Sequence, residues 1–248
     1  MTHSYPLYFH KKHIHVNLPE GAFIVDTGSP VSYSETGTIT YCGTKHTKAS
    51  APFIKTLNEK FGTQCIGILG ADLLSTKSVL LDLTKEGQMT VGSECPLGLM
   101  PYKFELSENK FIILEGALNH GPAVVKKDYY AEFQLARFIW DTGAQYGYTS
   151  DRKNNLCSTK GSLIDWNPHL GDIVAENSWI IPLVFKQDDF NFIRDHMAYS
   201  EVVTKQILEP HKVNAILSNS WMMGTLVWFD YASQQVAIKT ANHFNIPN

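Results

Sequence analysis

The chain repeats itself over a long period, and that repeat limits its fold more than any other feature. AFIVDTGSPVSY at 22–33 and RFIWDTGAQYGY at 137–148 each read as an apolar run, Asp-Thr-Gly, then a small residue. Each copy has a later partner, IGILGADLLSTKSVLLDLT at 66–84 and NAILSNSWMMGTLVWFDYA at 214–232. In both partners Ile-Leu precedes a small residue, Gly70 or Ser218. Twelve residues further on, Asp82 or Asp230 follows an apolar run. The shared interval marks two copies of one unit. From Asp to small residue the span is 44 residues in the first copy (26 to 70) and 77 in the second (141 to 218). The second copy therefore carries 33 more (77 − 44), and such an insertion in a compact repeat is a long loop or hairpin.

Periodicity supplies the coarse structure. Leu7–Leu18, Phe23–Val25, Ile39–Cys42, Val79–Leu83, Tyr102–Leu106, Phe111–Leu114, Tyr129–Leu135, Phe138–Trp140, Trp179–Phe185, Leu226–Phe229 and Gln235–Ile238 read as strands, rich in β-branched and aromatic residues and bounded by Gly, Pro, Asn and Ser. Pro52–Phe61 reads as a helix that ends at Gly62, and Ala198–Leu208 as one that ends before Pro210. Each helix sits just upstream of its Ile-Leu segment. The fold expected is mostly β, in two lobes related by pseudo-two-fold symmetry, with short helices. Gly and Pro cluster near Cys95–Pro101, which divides the chain into an N-terminal lobe, 1–95, and a C-terminal lobe, 96–248, with the insertion in the second.

Composition excludes several classes. Of the 248 residues, 44% are hydrophobic and 18% charged, a globular balance rather than a disordered one. A formal charge of −3 excludes a strongly basic nucleic-acid binder. No apolar run reaches membrane-spanning length, and Trp179–Phe185 is strand-sized. The N-terminus, MTHSYPLYFHKKHIHVN, has no signal-peptide core, so a cytoplasmic location is expected. Cys42, Cys65, Cys95 and Cys157 show no metal-ligand spacing and are expected to be free thiols. His13 and His15 share a strand face but lack a neighbouring carboxylate or Cys, and are expected to be exposed. The charges at 126–128 and 188–189 are expected to be solvated. HExxH, a phosphate loop and GxSxG are all missing. No cofactor or metal is expected.

One Asp-Thr-Gly arises by chance in about 5% of chains this long; two at matched places in a repeat are far harder to explain as two unrelated turns, because turns alone do not account for the matched downstream segments. Two carboxylates held in contact cannot both ionise cheaply and share a proton. One then draws a proton from water while the other protonates a substrate carbonyl. Gly allows the tight turn, and the Thr hydroxyl can anchor the loop. Asp82 and Asp230 sit at the entry to turns and read as caps. Asp72 faces Ser220 in the repeat, not a second acid, and reads as structural.

These motifs, AFIVDTGSP with ILGADLL and FIWDTGAQ with ILSNSWM, resemble those of the aspartic peptidases, both pepsin-like and retroviral-type. The pattern looks most like bacterial retropepsin-like proteins, with both lobes in one chain. The resemblance implies that Asp26 and Asp141 are the catalytic pair. It implies that Thr27, Gly28, Ser29, Thr142, Gly143 and Ala144 support them. It also implies a monomeric aspartic endopeptidase acting on an extended peptide or protein, with no nucleic acid or membrane partner. Gly70, Ser218, Tyr41, Trp166, His169 and Leu170 are the candidate substrate contacts. Three departures qualify this. Ser218 replaces the usual Gly, and either crowds the loop or donates a hydrogen bond. Ser29 follows the first Asp-Thr-Gly, so its hydroxyl is expected on Asp26, favouring ionisation and work near neutral pH; Ala144 offers none. The first lobe looks too short for a flap, so the segment 162–185 is expected to cover the cleft. The alternatives are a catalytically silent relative that binds peptides or a partner protein, and an unrelated β-rich domain.

Overall fold

A computed structural model describes residues 1–84, 87–119, 133–150, 159–185 and 192–239. Cys157, the charged stretches 126–128 and 188–189 and the first part of the strand expected over 129–135 lie outside the described residues. The chain divides into two compact units, Met1–Phe104 with Met222–Asn248, and Glu105–Trp221.

The first unit begins as a meander of β1 (His3–His10), β2 (His13–Leu18) and β3 (Gly21–Val25), with Leu7 opposite Val16 and Val16 opposite Phe23. Next come β4 (Tyr33–Ser34) and a hairpin of β5 (Thr38–Tyr41) and β6 (Thr44–Thr47). Helix α1 (Phe53–Phe61) buries Ile54 and Leu57 and closes at Gly62 in the left-handed region, φ 64°, where the Gly62 N–H donates to the Asn58 carbonyl at 2.8 Å. It is followed by β7 (Gly67–Leu69), the short α2 (Ala71–Leu74), β8 (Val79–Asp82), β9 (Gln88–Val91) and β10 (Tyr102–Lys103).

The second unit holds β11 (Glu105–Leu106), β12 (Ile112–Asn119), β13 (Phe133–Trp140), β14 (Gly147–Thr149), β15 (Thr159–Asn167), β16 (Gly171–Phe185), β17 (Phe192–Tyr199), a helical stretch over 201–211 and β18 (Ala215–Leu217). The chain then returns to the first unit as β19 (Leu226–Asp230) and β20 (Gln235–Lys239). The sheet orders among the described residues are β10-β20-β19-β8-β9-β1-β2-β3-β7-β4 and β11-β12-β13-β18-β14-β17-β16-β15, and β12 also pairs with β16.

Several expectations change. Leu7–Leu18 is a hairpin rather than one strand. Lys11 and Lys12 both take positive φ (50° and 63°), the two-residue turn that suits strand twist, without the Asn or Gly that would announce it. The boundary expected at 95/96 shifts to Phe104/Glu105, and the segment from Met222 joins the first unit because β19 pairs with β8, Val227 opposite Leu81. Ala198 and Tyr199 finish β17, so the second helix starts only at Glu201, after Ser200. That helix runs through a π-helical turn, Thr204–Leu208, and past Pro210 to His211. Pro210 is tolerated because it falls in the first turn of the last helical segment, where its missing N–H is not needed. The 33 additional residues of the second copy are accounted for mainly by the β15–β16 hairpin and β17.

His13 and His15 are buried, not exposed, because β2 is covered on both faces: His13, Ile14, His15 and Val16 are all inaccessible. His15 stacks on Tyr8 (ring centroids 5.3 Å apart) and meets His10 and His13 edge-on; His13 meets Phe61 of α1. Burial, then the nearby His10, lowers the His15 pKa to about 4. A buried imidazole held neutral stabilises the fold above its unfolded pKa, near 6.5, and that contribution is lost as pH falls through about 4. We therefore expect urea stability to decline by on the order of 3 kcal/mol between about pH 7 and about pH 4, and His15→Phe to flatten that decline. An unchanged pH profile in His15→Phe would assign the acid sensitivity elsewhere.

Candidate active site

Each Asp-Thr-Gly sits at the end of a strand that pairs in parallel with a three-residue strand. In the first unit β3 runs beside β7, with Val25 opposite Leu69; in the second β13 runs beside β18, with Trp140 opposite Leu217. β4 and β14 flank β7 and β18 antiparallel from the other side. The Asp26 N–H then donates to the Leu69 carbonyl at 3.0 Å, and the Asp141 N–H to the Leu217 carbonyl at 3.0 Å. The turn is closed by Ser29 N–H to Asp26 carbonyl and by Ala144 N–H to Asp141 carbonyl, both 3.3 Å. The Gly28 and Gly143 N–H groups each donate to Oδ1 of their Asp at 2.9 Å, and Ala144 N–H adds a further bond to Asp141 Oδ1 at 3.1 Å. Thr27 and Thr142 are fully buried, while Asp26 and Asp141 are half-buried. The local result is a carboxylate oriented by backbone donors, with the apolar strand behind it dry: Phe23, Val25, Phe138 and Trp140 are all 0% exposed. Such a carboxylate is suited to proton transfer.

The small residues under the two loops differ in kind. At Gly70 a Cβ would lie 2.7 Å from the Ser29 carbonyl oxygen and from Val31 backbone atoms, so glycine is required there by packing. Its N–H donates to Ser32 Oγ (2.9 Å), and Ser32 Oγ donates to Asp72 Oδ1 (2.5 Å). Lys48 Nζ meets the other oxygen, Asp72 Oδ2, at 2.5 Å. Burial alone would raise the Asp72 pKa, but the hydrogen bonds from Lys48 and Ser32 outweigh it and hold the carboxyl below its usual value. Ser218, which takes the place of Gly70, does not crowd its loop. It is completely buried and donates through Oγ to Asp195 Oδ1 (2.6 Å) and through N–H to Asp195 Oδ2 (2.7 Å). Asn219 next to it braces the second loop, N–H to the Ala144 carbonyl (3.1 Å) and Nδ2 to the Thr142 carbonyl (2.9 Å).

The remaining candidates are placed as follows. The Ser29 hydroxyl donates to the Val31 carbonyl at 2.8 Å and so is turned to its own loop rather than to Asp26. Tyr41 lies at the end of β5, where the hairpin turns at Cys42 and Gly43; it is buried and stacks on Tyr5 at 6.3 Å. Trp166 and Leu170, at the tip of the β15–β16 hairpin, are half-buried, and His169 is exposed. Leu170 packs on the same apolar cluster as Ala144, with Ile173, Tyr148 and Ile216. Tyr148 Oη donates to Asp165 Oδ2 (2.7 Å), tying that hairpin to β14; burial and Asp165 both push the phenol pKa up. Asp82 and Asp230 cap their turns, accepting from Thr84 N–H (3.0 Å) and Ala232 N–H (3.1 Å). Cys42, Cys65 and Cys95 are free thiols.

Two further residues lie near the loops without belonging to either motif. Asp195 arises from β17, inside the insertion, where the repeat offers no counterpart. Tyr231, just after β19, is buried, and burial followed by the charge of Asp26 pushes its phenol pKa up. Its signal in the sequence was only its place beside the capping Asp230. Among the described residues no group of His, Cys, Asp or Glu is arranged to hold a metal ion, and no helix is long and apolar enough to cross a membrane.

No family model matches the chain, and no curated protein matches it significantly by sequence. Solved structures do match. An aspartic proteinase from Irpex lacteus aligns with 99% of this chain and 99% of its own, TM-score 0.55, at 10% identity. Conglutin gamma, a unique basic 7S globulin from lupine seeds, aligns with 97% of this chain and 95% of its own, TM-score 0.56, at 9% identity. The chain thus has the pepsin-like, mostly β fold. That fold is shared by a proteinase and by a globulin.

The glycine argument has a direct test. Gly70→Ser, which copies the residue of the second unit into the first, is expected to lower the unfolding free energy by about 1–3 kcal/mol in urea titration, because the side chain meets backbone oxygen. A variant as stable as the parent would show that the first loop has room.

Proposed function

We propose that the protein is an aspartic endopeptidase in which Asp26 and Asp141 share a proton, activate a water and hydrolyse a peptide bond without a covalent intermediate. The observation that carries this reading is that three bonds recur in both loops at the same lengths: Asp N–H to Leu carbonyl at 3.0 Å, Gly N–H to Asp Oδ1 at 2.9 Å, and the closing turn bond at 3.3 Å. Turns formed for structural reasons alone have no need to present two carboxylates in one setting. Thr27, Gly28 and Ser29 with Thr142, Gly143 and Ala144 hold the pair; Gly70 and Ser218 pack beneath it. An extended peptide is the substrate, bound through strand-like backbone hydrogen bonds. The β15–β16 hairpin is the covering element in this reading, with Trp166, His169 and Leu170 at its tip. Tyr41, on the smaller hairpin of the first unit, is a second candidate contact. No cofactor enters the reaction, and the protein works as a monomer in the cytoplasm.

The chemistry is a general acid–base exchange. The ionised carboxylate takes a proton from water as the oxygen attacks the carbonyl carbon; the protonated one donates to the carbonyl oxygen. The Ser29 hydroxyl serves the Val31 carbonyl and so contributes nothing to the ionisation of Asp26; acid weakens the unit that carries Asp26, because neutral His15 is buried there.

The second reading is a peptide- or protein-binding module with no turnover, favoured by the fold shared with conglutin gamma. Cleavage of a mixed peptide library across about pH 3 to about pH 8 separates the two. The peptidase reading expects turnover that falls about 10²–10⁴-fold in both Asp26→Asn and Asp141→Asn. Saturable peptide binding with no cleavage by folded protein would favour the binding module instead.

A further inference from the structure

The two units solve the support of their loops with different residues. Aligned on Asp-Thr-Gly, Ser32 corresponds to Gly147 (six residues after each Asp), and aligned on the Ile-Leu segment, Asp72 corresponds to Ser220 (two residues after Gly70 and Ser218). The second unit has therefore lost both members of the Ser32–Asp72 pair. What it has lost in place it regains from the insertion. A Cβ at Gly147 would lie 2.8 Å from Asp195 Oδ2 and 3.0 Å from Met197 Cγ, so the missing side chain is the space the carboxylate occupies. β17 runs parallel to β14 with Met197 opposite Gly147, which brings Asp195, two residues earlier on the same strand face, over that gap.

We propose that Asp195 is the positioning residue of the second Asp-Thr-Gly loop, doing there what Ser32 and Asp72 do together in the first. In the first unit the Gly70 N–H is received by Ser32 Oγ; in the second the Ser218 N–H is received by Asp195 Oδ2. The other oxygen, Asp195 Oδ1, accepts from Ser218 Oγ (2.6 Å) and Ser220 Oγ (2.5 Å), as Asp72 Oδ1 accepts from Ser32. Ser220 N–H closes the group on Ser218 Oγ at 3.1 Å. A completely buried carboxylate with three fixed donors is stiff, because moving it strands donors away from water. Its reach extends to Asp141 in two steps. Ser218 is the link between Leu217, whose carbonyl receives the Asp141 N–H, and Asn219, which ties down the Thr142 and Ala144 carbonyls. Asp195 touches neither substrate nor the reacting atoms; it acts through Ser218. The exchange also gives the inserted strand a role in the site rather than only a covering one.

The catalytic part rests on the peptidase reading, so the test has one arm that needs no activity. Asp195→Asn, Ser218→Ala and the double variant are compared with the parent by amide hydrogen exchange and by peptide cleavage. Exchange at Ala144 and Asn219 is expected to speed up about tenfold or more in each variant, while Ala71, the matching amide of the first unit, is unchanged. In cleavage, each single variant is expected to lose about tenfold or more in kcat with KM nearly constant, and the double variant to be no worse than either. Unchanged exchange at Ala144 and Asn219 in folded Asp195→Asn overturns the proposal; if Asp195→Asn does not fold, Ser218→Ala is judged by the same criterion. Losses that add as independent effects also overturn it. If the parent cleaves nothing, the peptidase reading fails by itself, and the exchange result alone decides whether Asp195 braces the loop.

Discussion

The parallel pairing of a strand with the three-residue Ile-Leu strand beside it is the constraint on which both units depend. β3 with β7 and β13 with β18 each end at the same register. That register puts a Leu carbonyl where the Asp N–H must find it. Parallel pairing needs a crossover, and the chain supplies it with β4 or β14, a hairpin and a helix. The crossover is where the two copies diverge in length. The pairing itself is not free to slip, since one step of register would turn the buried Phe23 and Val25, or Phe138 and Trp140, to the opposite face.

Around that common frame the two units reach comparable support by unlike means. The first places a glycine against backbone oxygen and builds a Ser32–Asp72–Lys48 group beneath it. The second accepts a serine at the same position, opens a space with Gly147 and fills it with a carboxylate from β17. The geometry of the loop is thus kept while the contacts beneath it are exchanged.

What the sequence disclosed follows the range of the interactions concerned. Local interactions were legible. The helix ending at Gly62 and the turn caps at Asp82 and Asp230 each depend on residues a few positions apart. The repeat extended that reach, since matching segments reveal matched strands without any contact being known. Long-range burial was not legible. Nothing in FHKKHIHV says that α1 will lay Phe61 against His13, or that β2 will be covered on both faces. The turn at Lys11 and Lys12 was hidden because it uses lysine in a conformation that Asn or Gly usually marks. Asp195 was hidden for a different reason: it lies in the part of the second copy that has no partner in the first. The only traces it left were the two vacancies, Gly147 against Ser32 and Ser220 against Asp72.

The proposed action of Asp26 and Asp141 as one acid–base pair has a direct consequence for how the two carboxyls titrate. Carbon-13 carboxyl titration of the selectively labelled aspartates tests it without knowledge of the substrate. A shared proton predicts two coupled macroscopic steps, with one carboxyl holding its proton well above the ordinary value of about 3.9, and a simpler titration of Asp141 once Asp26 is replaced by Asn. Independent titrations near about 3.9 for both residues, unaltered by that replacement, would contradict the account.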